Sequence, residues 1–552
     1  MSTYEAGLLA EIGIAFLLAL SVYVILATGQ LSLGNAGFMA IGAYASALLT
    51  VNGGVPLPFA LLISAFACGL IGVGVGFPAL RLHGIYLALA TLGFGEIVRS
   101  FFQNFEPTGG AAGFHGMMVT TPLMIWLYAG ATFILVMAVG RSHLWLKFRA
   151  VCDDEVASDI IGLNTTLIKI GAFGLGAAIA GLAGGLFAHF HVYIEPNNFG
   201  FEKSIEMVLY VILGGSTVVL GPLLGATLLT LLPEFLRFMA EWRLATYGAL
   251  LILMLMFRQQ GIVDRALLLR IAMLGRGRVR MLRGAMTAGA MATRAHHPAT
   301  GNETPLLRID NVSKRFGGVA ALNNLSFEVR QGDIIGLIGP NGAGKTTVFN
   351  LLTGVYQPTS GMIYLDETRL VGLPSFRIAR LGIARTFQNI RLFHSMTVIE
   401  HVLIGQLPDR RGWKFQSFSR AHRSAISKAE DILALTGLSD VRDRLAATLP
   451  YGLQRCVEIA RALASEPRLI LLDEPVAGMN REETSAMRDL ILRLRGRGAT
   501  LLIIEHDMPF VMNLCEHLYV IDFGTLIASG APSSVRTDPV VLNAYLGDDA
   551  DA

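Results

Sequence analysis

The stretch "GPNGAGKT", Gly339 to Thr346, fits the spacing G-x-x-x-x-G-K-[ST]. It follows the apolar run "DIIGLI" and precedes "TVFNLL", the order strand, glycine loop, helix start that phosphate binding requires. Gly339, Gly342 and Gly344 let backbone N–H groups curl around phosphate oxygens, and the helix N-terminus adds its dipole. Asn341 and Thr347 complete the expected lining, Lys345 is placed to reach the β and γ phosphates, and the Thr346 hydroxyl is suited to Mg²⁺.

Further along, "RLILLDEP" is a continuous apolar run of the kind a buried parallel strand shows, ending in two carboxylates, Asp473 and Glu474. Asp473 suits a Mg²⁺ shell and Glu474 suits polarising an attacking water. Without the glycine loop upstream, the same pair would read as the acidic end of a surface strand. A second apolar run, "LLIIEHDM", ends at His506, whose imidazole can bond a γ-phosphate and link it to Glu474. Gln388 in "ARTFQNI" can sense the γ-phosphate and join the Mg²⁺ shell directly or through water, and Phe316 in "SKRFGG" can stack on a base or simply pack in the core. In "LPYGLQRCVEIARAL", Tyr451, Gly452, Gln454 and Arg455 open a helix and are expected to meet something charged.

These elements occupy a soluble half that begins near Leu306. The preceding half is different. There is no Lys or Arg from Met1 to Leu80, and apolar runs long enough to cross ~30 Å of hydrocarbon recur. Candidate spans are 7–27, 31–50, 57–80, 84–103, 119–140, 166–190, 205–232 and 238–257. The loop "RSHLWLKFRA" carries Arg141, Lys147 and Arg149 and is expected in the cytosol by the positive-inside tendency. Residue 258 must share that side if the soluble half meets cytosolic nucleotide, so an even number of crossings must separate them. Gly214, Gly215, Gly221 and Pro222 can split 205–232 into two passages or a re-entrant pair.

Small residues recur in these spans. Gly181 and Gly185 have the GxxxG spacing of close helix packing, while Gly72, Gly74 and Gly76 follow no strand and exclude a dinucleotide fingerprint. The broken stretch "GQLSLGNAGF" offers backbone groups near Asn35 to a polar path. Glu96 and Arg99 lie one turn apart, as a functional pair or a structural one. His189 and His191 point to different helix faces, against a metal site. The run Leu8–Ala27 lacks a basic flank and a cleavage site and reads as a retained membrane segment.

Arg265, Arg270, Arg276, Arg278, Arg280 and Arg283 form a basic stretch suited to an anionic leaflet. The expected division is therefore a membrane domain over 1–260, a linker over 261–304 and a nucleotide-binding domain over 305–552. The net charge of +3 is too small to argue for nucleic acid, and four scattered cysteines fit neither a disulfide framework nor a metal site.

The phosphate loop, Gln388, the Gly452 segment, Asp473–Glu474 and His506, in that order, resemble the ATP-binding cassette of ABC transporters. "VSKRFGGVAAL", "EPVAGMN", "IIEHDM" and "DPVVLNAYLG" resemble the branched-chain amino-acid subfamily. In the membrane half, "GQLSLGNAGFMAIGAYASALL", "FPALRLHGIYLALATLGFGEIVR" and "DDEVASDIIGLN" resemble the permease of the same system. The resemblance implies a polytopic α-helical membrane domain followed by an α/β P-loop NTPase cassette, joined end to end.

It further implies ATP and Mg²⁺ as cofactors, with the cassette in the cytosol and the chain multi-pass in the cytoplasmic membrane. The implied partners are a second permease and a second ATP-binding subunit, as a hetero-assembly rather than a homodimer, and an external solute-binding protein. The implied cargo is an amino acid; urea, short amides and aromatic acids are alternatives. Short, glycine-rich spans argue against an exporter half, and likeness in both halves argues against a tethered regulatory ATPase. In that family the Gly452 segment closes over ATP held by the opposing cassette. The common motif is L-S-G-G-Q, and here Pro450, Tyr451 and Leu453 stand for the Ser, the first Gly and the Gln. Asp153, Asp154, Glu155 and Gly162 fit a coupling helix seated in a cassette groove near Gln388.

Overall fold

The computed structural model describes residues 3–79, 82, 84–235, 248, 249, 252, 256, 261–263, 305–406 and 420–546. The expected span 238–257, apart from four residues, and the basic stretch Arg265–Arg283 lie outside them. The chain divides into two compact units, Met1–Cys152 with Thr165–Ala285, and Asp153–Asn164 with Met286–Ala552.

The first unit is helical: α1 (Thr3–Leu26), α2 (Asn35–Val51), α3 (Leu57–Ala79), α4 (Ile85–Asn104), α5 (Pro122–Gly140) and α6 (His143–Asp153). After α7 (Glu155–Ile160), which belongs to the second unit, follow α8 (Thr165–His191), α9 (Phe201–Gly214) and α10 (Gly221–Phe235). Among the described residues, five helices (α1, α3, α4, α5 and α8) are long and apolar enough to cross a membrane. A strand pair, β1 (Phe114–His115) with β2 (Tyr193–Ile194), ties the loop before α5 to the end of α8.

Without a hydrophobic drive between helices in lipid, close backbone approach has to hold them together. A Cβ on Gly42 of α2 would stand 2.1 Å from the carbonyl oxygen of Gly181 on α8, so neither helix tolerates a larger residue there. Gly185 meets Leu61 and Ser46 in the same way. The apolar run 205–232 breaks at Gly215, whose φ of 122° only glycine adopts readily. Over the described residues α9 has 14 residues and α10 has 15, and Gly225 lies against the Tyr210 carbonyl. They pack against each other on either side of this break. Glu96 and Arg99 form an ion pair at 2.7 Å, His191 pairs with Glu11, and His189 meets the Met118 carbonyl, so the histidines share no site.

The second unit carries a six-stranded sheet in the order β12-β11-β5-β10-β9-β8, where β5 is Ile334–Ile338, β8 Ile383–Arg385, β9 Leu469–Asp473, β10 Thr500–Ile504, β11 His517–Asp522 and β12 Thr525–Gly530. All its pairings are parallel except β11–β12. Every residue of β5, β9 and β10 is buried, because both faces are covered, one by helices and the other by a helix together with a second sheet. Alternation divides them between two cores: Ile335, Leu337, Leu502 and Ile504 on one side, Ile334, Ile338, Leu501 and Ile503 on the other. A second, antiparallel sheet β4-β3-β6-β7 uses β3 (Leu307–Phe316), β4 (Val319–Val329), β6 (Ser360–Leu365) and β7 (Thr368–Arg369).

Its helices are α11 (Lys345–Leu352), α12 (Ser375–Arg380), α13 (Val398–Gly405), α14 (Arg420–Leu435), α15 (Tyr451–Leu463), α16 (Arg481–Gly496), α17 (Met508–Leu514), α18 (Pro532–Val535) and α19 (Pro539–Leu546). Capping boxes, Thr397 with Glu400 and Asn480 with Glu483, fix where α13 and α16 begin. The strands β5, β9 and β10 all end at one edge of the sheet, where parallel α/β sheets bind ligands.

Candidate functional site

At that edge β5 turns into the glycine loop. Gly339, Gly342 and Gly344 have φ of 152°, 83° and 100°, conformations that side chains resist. Space enforces the same choice at Gly344, where a Cβ would lie 2.6 Å from the Ala321 carbonyl. Asn341, Gly342 and Thr346 are exposed, Thr347 half-buried, and α11 starts with no side-chain cap, leaving its first N–H groups open. Lys345 Nζ donates to the carbonyls of Gly339 at 2.6 Å and Pro340 at 2.8 Å. Burial pushes its ammonium below the ordinary lysine range, while the Glu474 and Asp473 carboxylates oppose that shift.

Asp473 ends β9 and is buried, with one oxygen accepting from Arg385 Nη2 at 3.0 Å and Oδ1 without a hydrogen-bond partner. Burial raises its carboxyl and the guanidinium opposes. Arg385 is itself anchored to Asn350 Oδ1 at 2.6 Å, which ties this pair to α11. Glu474 follows at φ 48°, a left-handed conformation costly for a non-glycine residue, and its N–H donates to the Ile504 carbonyl at 2.9 Å. His506 Nδ1 stands 3.9 Å from Glu474 Oε2, near it but beyond hydrogen-bond distance, and is well exposed. Between them, buried Glu505 accepts from the N–H groups of Val476 at 3.0 Å and His506 at 2.9 Å.

The side chain of Gln388 is exposed while its carbonyl accepts from Arg455 Nη2 at 2.9 Å. Phe316 is 41% exposed, which removes the core-packing alternative. Its ring meets Tyr356 edge-on at 5.1 Å, and Lys314 Nζ lies over it at 4.9 Å.

The segment "LPYGLQR" opens α15. Pro450 is its N-cap and supplies no side-chain bond, so the first-turn N–H groups stay open. Tyr451 is exposed and Gly452 buried, with Glu483 Oε1 2.8 Å from where its Cβ would be. Gln454 Nε2 turns back to the Leu449 carbonyl at 2.8 Å. Arg455 differs from the outward role expected: it is fully buried and donates to the carbonyls of Phe387, Gln388 and Glu474.

Within the same unit, residues 153–164 lie against the cassette. Asp153 Oδ2 accepts from Ser395 N at 2.9 Å and Oγ at 2.7 Å. Asp154 caps α7 and pairs with Arg391 at 2.9 Å, and Arg380 Nε donates to the Gly162 carbonyl at 3.1 Å. Asp159 faces Ser375 and the Phe376 N–H; burial nevertheless raises its carboxyl to about 6.

Arg385, Glu458, Arg461, Glu505 and Arg391 went unnoticed in the sequence. The only signal for part of this set was the i, i+3, i+6 spacing of Arg455, Glu458 and Arg461, which places three charges on one helical stripe.

A family profile described as "ABC transporter" matches residues 322–477, and one described as "Branched-chain amino acid transport system / permease component" matches residues 5–257. A third, "Branched-chain amino acid ATP-binding cassette transporter", matches residues 525–551. Among similar proteins, the high-affinity branched-chain amino acid transport ATP-binding protein LivG of Salmonella typhimurium is 47% identical over 251 residues, 44% of this chain and 98% of that protein. BraF of Pseudomonas aeruginosa is 44% identical over the same shares. Similar solved structures include a nucleotide-free ATP-binding cassette from an ABC transporter, 34% identical, covering 44% of this chain and 98% of that one with a TM-score of 0.40. This cassette binds ATP and couples its hydrolysis to transport, and the apolar helices make the protein multi-pass in a membrane. The chain belongs to the branched-chain amino acid ABC transporter family, with the permease component and the ATP-binding cassette in one polypeptide.

Proposed function

We propose that this chain is one half of an importer that moves branched-chain amino acids across the cytoplasmic membrane at the expense of ATP. A permease domain over 1–260 and a cassette over 305–552, joined by the basic linker 261–304, are each paired with a counterpart subunit. The counterparts are a second permease and a second ATP-binding subunit of related but different sequence, with an external solute-binding protein delivering the amino acid. The cassette faces the cytosol. The observation that carries this reading is the placement of residues 153–164, which lie within the permease-matched stretch yet fold as part of the cassette unit.

In the site, the N–H groups from Gly339 to Thr347 hold the phosphates and Phe316 lies against the adenine. Lys345 has a third donor beyond the two given to its own loop, and turns its ammonium to the β and γ phosphates. The unpartnered Asp473 Oδ1 and the exposed Thr346 hydroxyl fit a hard cation that also keeps waters and phosphate oxygens, and the exposed side chain of Gln388 would join them. Mg²⁺, when bound, neutralises charge developing on the transferred phosphoryl group. Glu474 orients the attacking water and accepts its proton, and His506 closes on the γ-phosphate. The open first turn of α15, with Tyr451, Gly452 and Gln454, faces the γ-phosphate of ATP held by the partner cassette.

The test is uptake of labelled leucine by native cells against cells carrying Glu474→Gln on the chromosome. High-affinity uptake is expected to disappear in the variant, with its protein present at normal level. Unchanged leucine uptake would refute the branched-chain assignment and redirect the search to amides, urea and aromatic acids.

A further inference from the structure

Helix α15 carries three charged residues that the reaction itself does not use. Arg455, Glu458 and Arg461 are 0%, 0% and 2% exposed, an unusual burial for three ions on one stripe. Glu458 Oε2 accepts from Arg455 Nη1 at 2.9 Å, and its Oε1 lies 3.6 Å from Arg461 Nη2. Burial raises the Glu458 carboxyl, and the two guanidinia oppose it.

Their remaining bonds run to two places. On one side, Arg461 Nη1 donates to the Arg391 carbonyl at 2.6 Å, and Arg391 N–H points to Glu458 Oε1 at 3.5 Å. Arg391 is the residue whose guanidinium holds Asp154 of the 153–164 segment. On the other side, Arg455 Nη2 donates to the carbonyls of Gln388 at 2.9 Å and Glu474 at 3.2 Å, and Glu458 Oε1 accepts from Phe387 N at 3.2 Å. Glu474 needs such a clamp, because its left-handed backbone persists only where its surroundings hold it there. Gln388 and Glu474 are thus connected through buried charge to the segment contributed by the membrane-matched sequence.

We propose that Arg455, Glu458 and Arg461 are positioning residues that set Glu474 and Gln388 according to whether the 153–164 segment is docked through Asp154 and Arg391. When Asp154 releases Arg391, the Arg391 carbonyl shifts. Arg461 and Glu458 then shift with it, and the Arg455 clamp on the Glu474 carbonyl loosens. Hydrolysis is fast only when the membrane segment is seated. This inference rests on the roles proposed above for Glu474 and Gln388.

The test uses the intact purified transporter in liposomes and compares ATP turnover for Asp154→Ala, Glu458→Gln and the double variant, with Glu474→Gln alongside. Glu458→Gln is expected to leave KM for ATP within about twofold and lower kcat about tenfold or more, the pattern of a lost transition-state arrangement. Residues acting through one chain of contacts are non-additive, so the double variant should be no slower than the slower single variant, within about twofold. Losses that multiply in the double variant, or an unchanged kcat in Glu458→Gln, would overturn the proposal. Should Glu458→Gln fail to fold, Glu458→Asp keeps the charge and is read by the same double-variant comparison with Asp154→Ala. Full turnover by Glu474→Gln would instead remove that residue from its proposed role while leaving the additivity result readable.

Discussion

Two helices of the cassette, α11 and α15, begin alike and use their charges in opposite directions. Both open with uncapped N–H groups, a ready site for an anion. In α11 the cation, Lys345, stands at the opening beside the glycine loop, and the inner face is apolar through Val348, Phe349 and Leu352. In α15 the opening holds Pro450 and Gly452 with no cation free to meet a ligand, while Arg455 and Arg461 point inward. One helix keeps its cation at the glycine loop, and the other turns its charges into the protein. In the reading proposed above both starts meet ATP, α11 that of its own chain and α15 that of the partner cassette, and the two helices differ in where their charged side chains go.

The contrast can be broken most severely at α11. Lys345→Ala removes the cation aimed at the phosphates, and ATP turnover by the intact complex should fall about a thousandfold, as when a preorganised electrostatic partner is lost. Phosphate release measures it; a fall below tenfold would place the phosphate charge elsewhere. Next in size is Arg385→Met, which strands the buried Asp473 without its counter-ion. Loss of one partner of a buried pair costs about 3 kcal/mol or more, seen as a lower denaturant midpoint for the cassette. A midpoint matching wild type would mean that Asp473 is already neutral.

Those two residues also show what was legible in the sequence. Lys345, Asp473 and Glu474 lie in contiguous motifs whose chemistry depends on local spacing, so strand, loop and helix could be read together. Arg385 and Glu505 act through burial and contacts made by distant parts of the chain, Arg385 with Asp473 and Glu505 with Val476, which no local pattern reveals. Arg455 was expected to meet a charged ligand at the helix opening; only the packed fold shows it turned inward onto the carbonyls of Phe387, Gln388 and Glu474. In the membrane unit, glycine and proline marked the break near Gly215, yet the packing of α9 on α10 depends on the Gly225–Tyr210 approach.

Smaller effects sharpen the comparison. Pro450→Ser supplies the hydroxyl cap that α15 lacks and should stabilise its start by about 1 kcal/mol. Amide exchange in its first turn should slow about fivefold; unchanged exchange would mean that the opening is not limited by its cap. Asp159→Asn acts on docking. The Asp159 carboxyl titrates near 6 when folded against 3.8 when free, so the folded state keeps its proton longer. Docking is therefore strongest below about pH 4, weakens as pH rises towards 6, and is level above that. The variant should remove this slope and strengthen docking at pH 7.5, read from amide exchange across 155–160. A slope that persists in the variant would assign it to another group.

The difference between α11 and α15 is tested most directly by which nucleotide each helix holds. In the intact complex carrying Gly452→Asp in this chain alone, photolabelling with 8-azido-ATP reports occluded nucleotide on each cassette separately. Label on this chain should persist, because its own phosphate loop is untouched, while label occluded on the partner cassette should be lost. Loss of label from this chain with the partner's retained would contradict that division, and would make α15 part of its own chain's site.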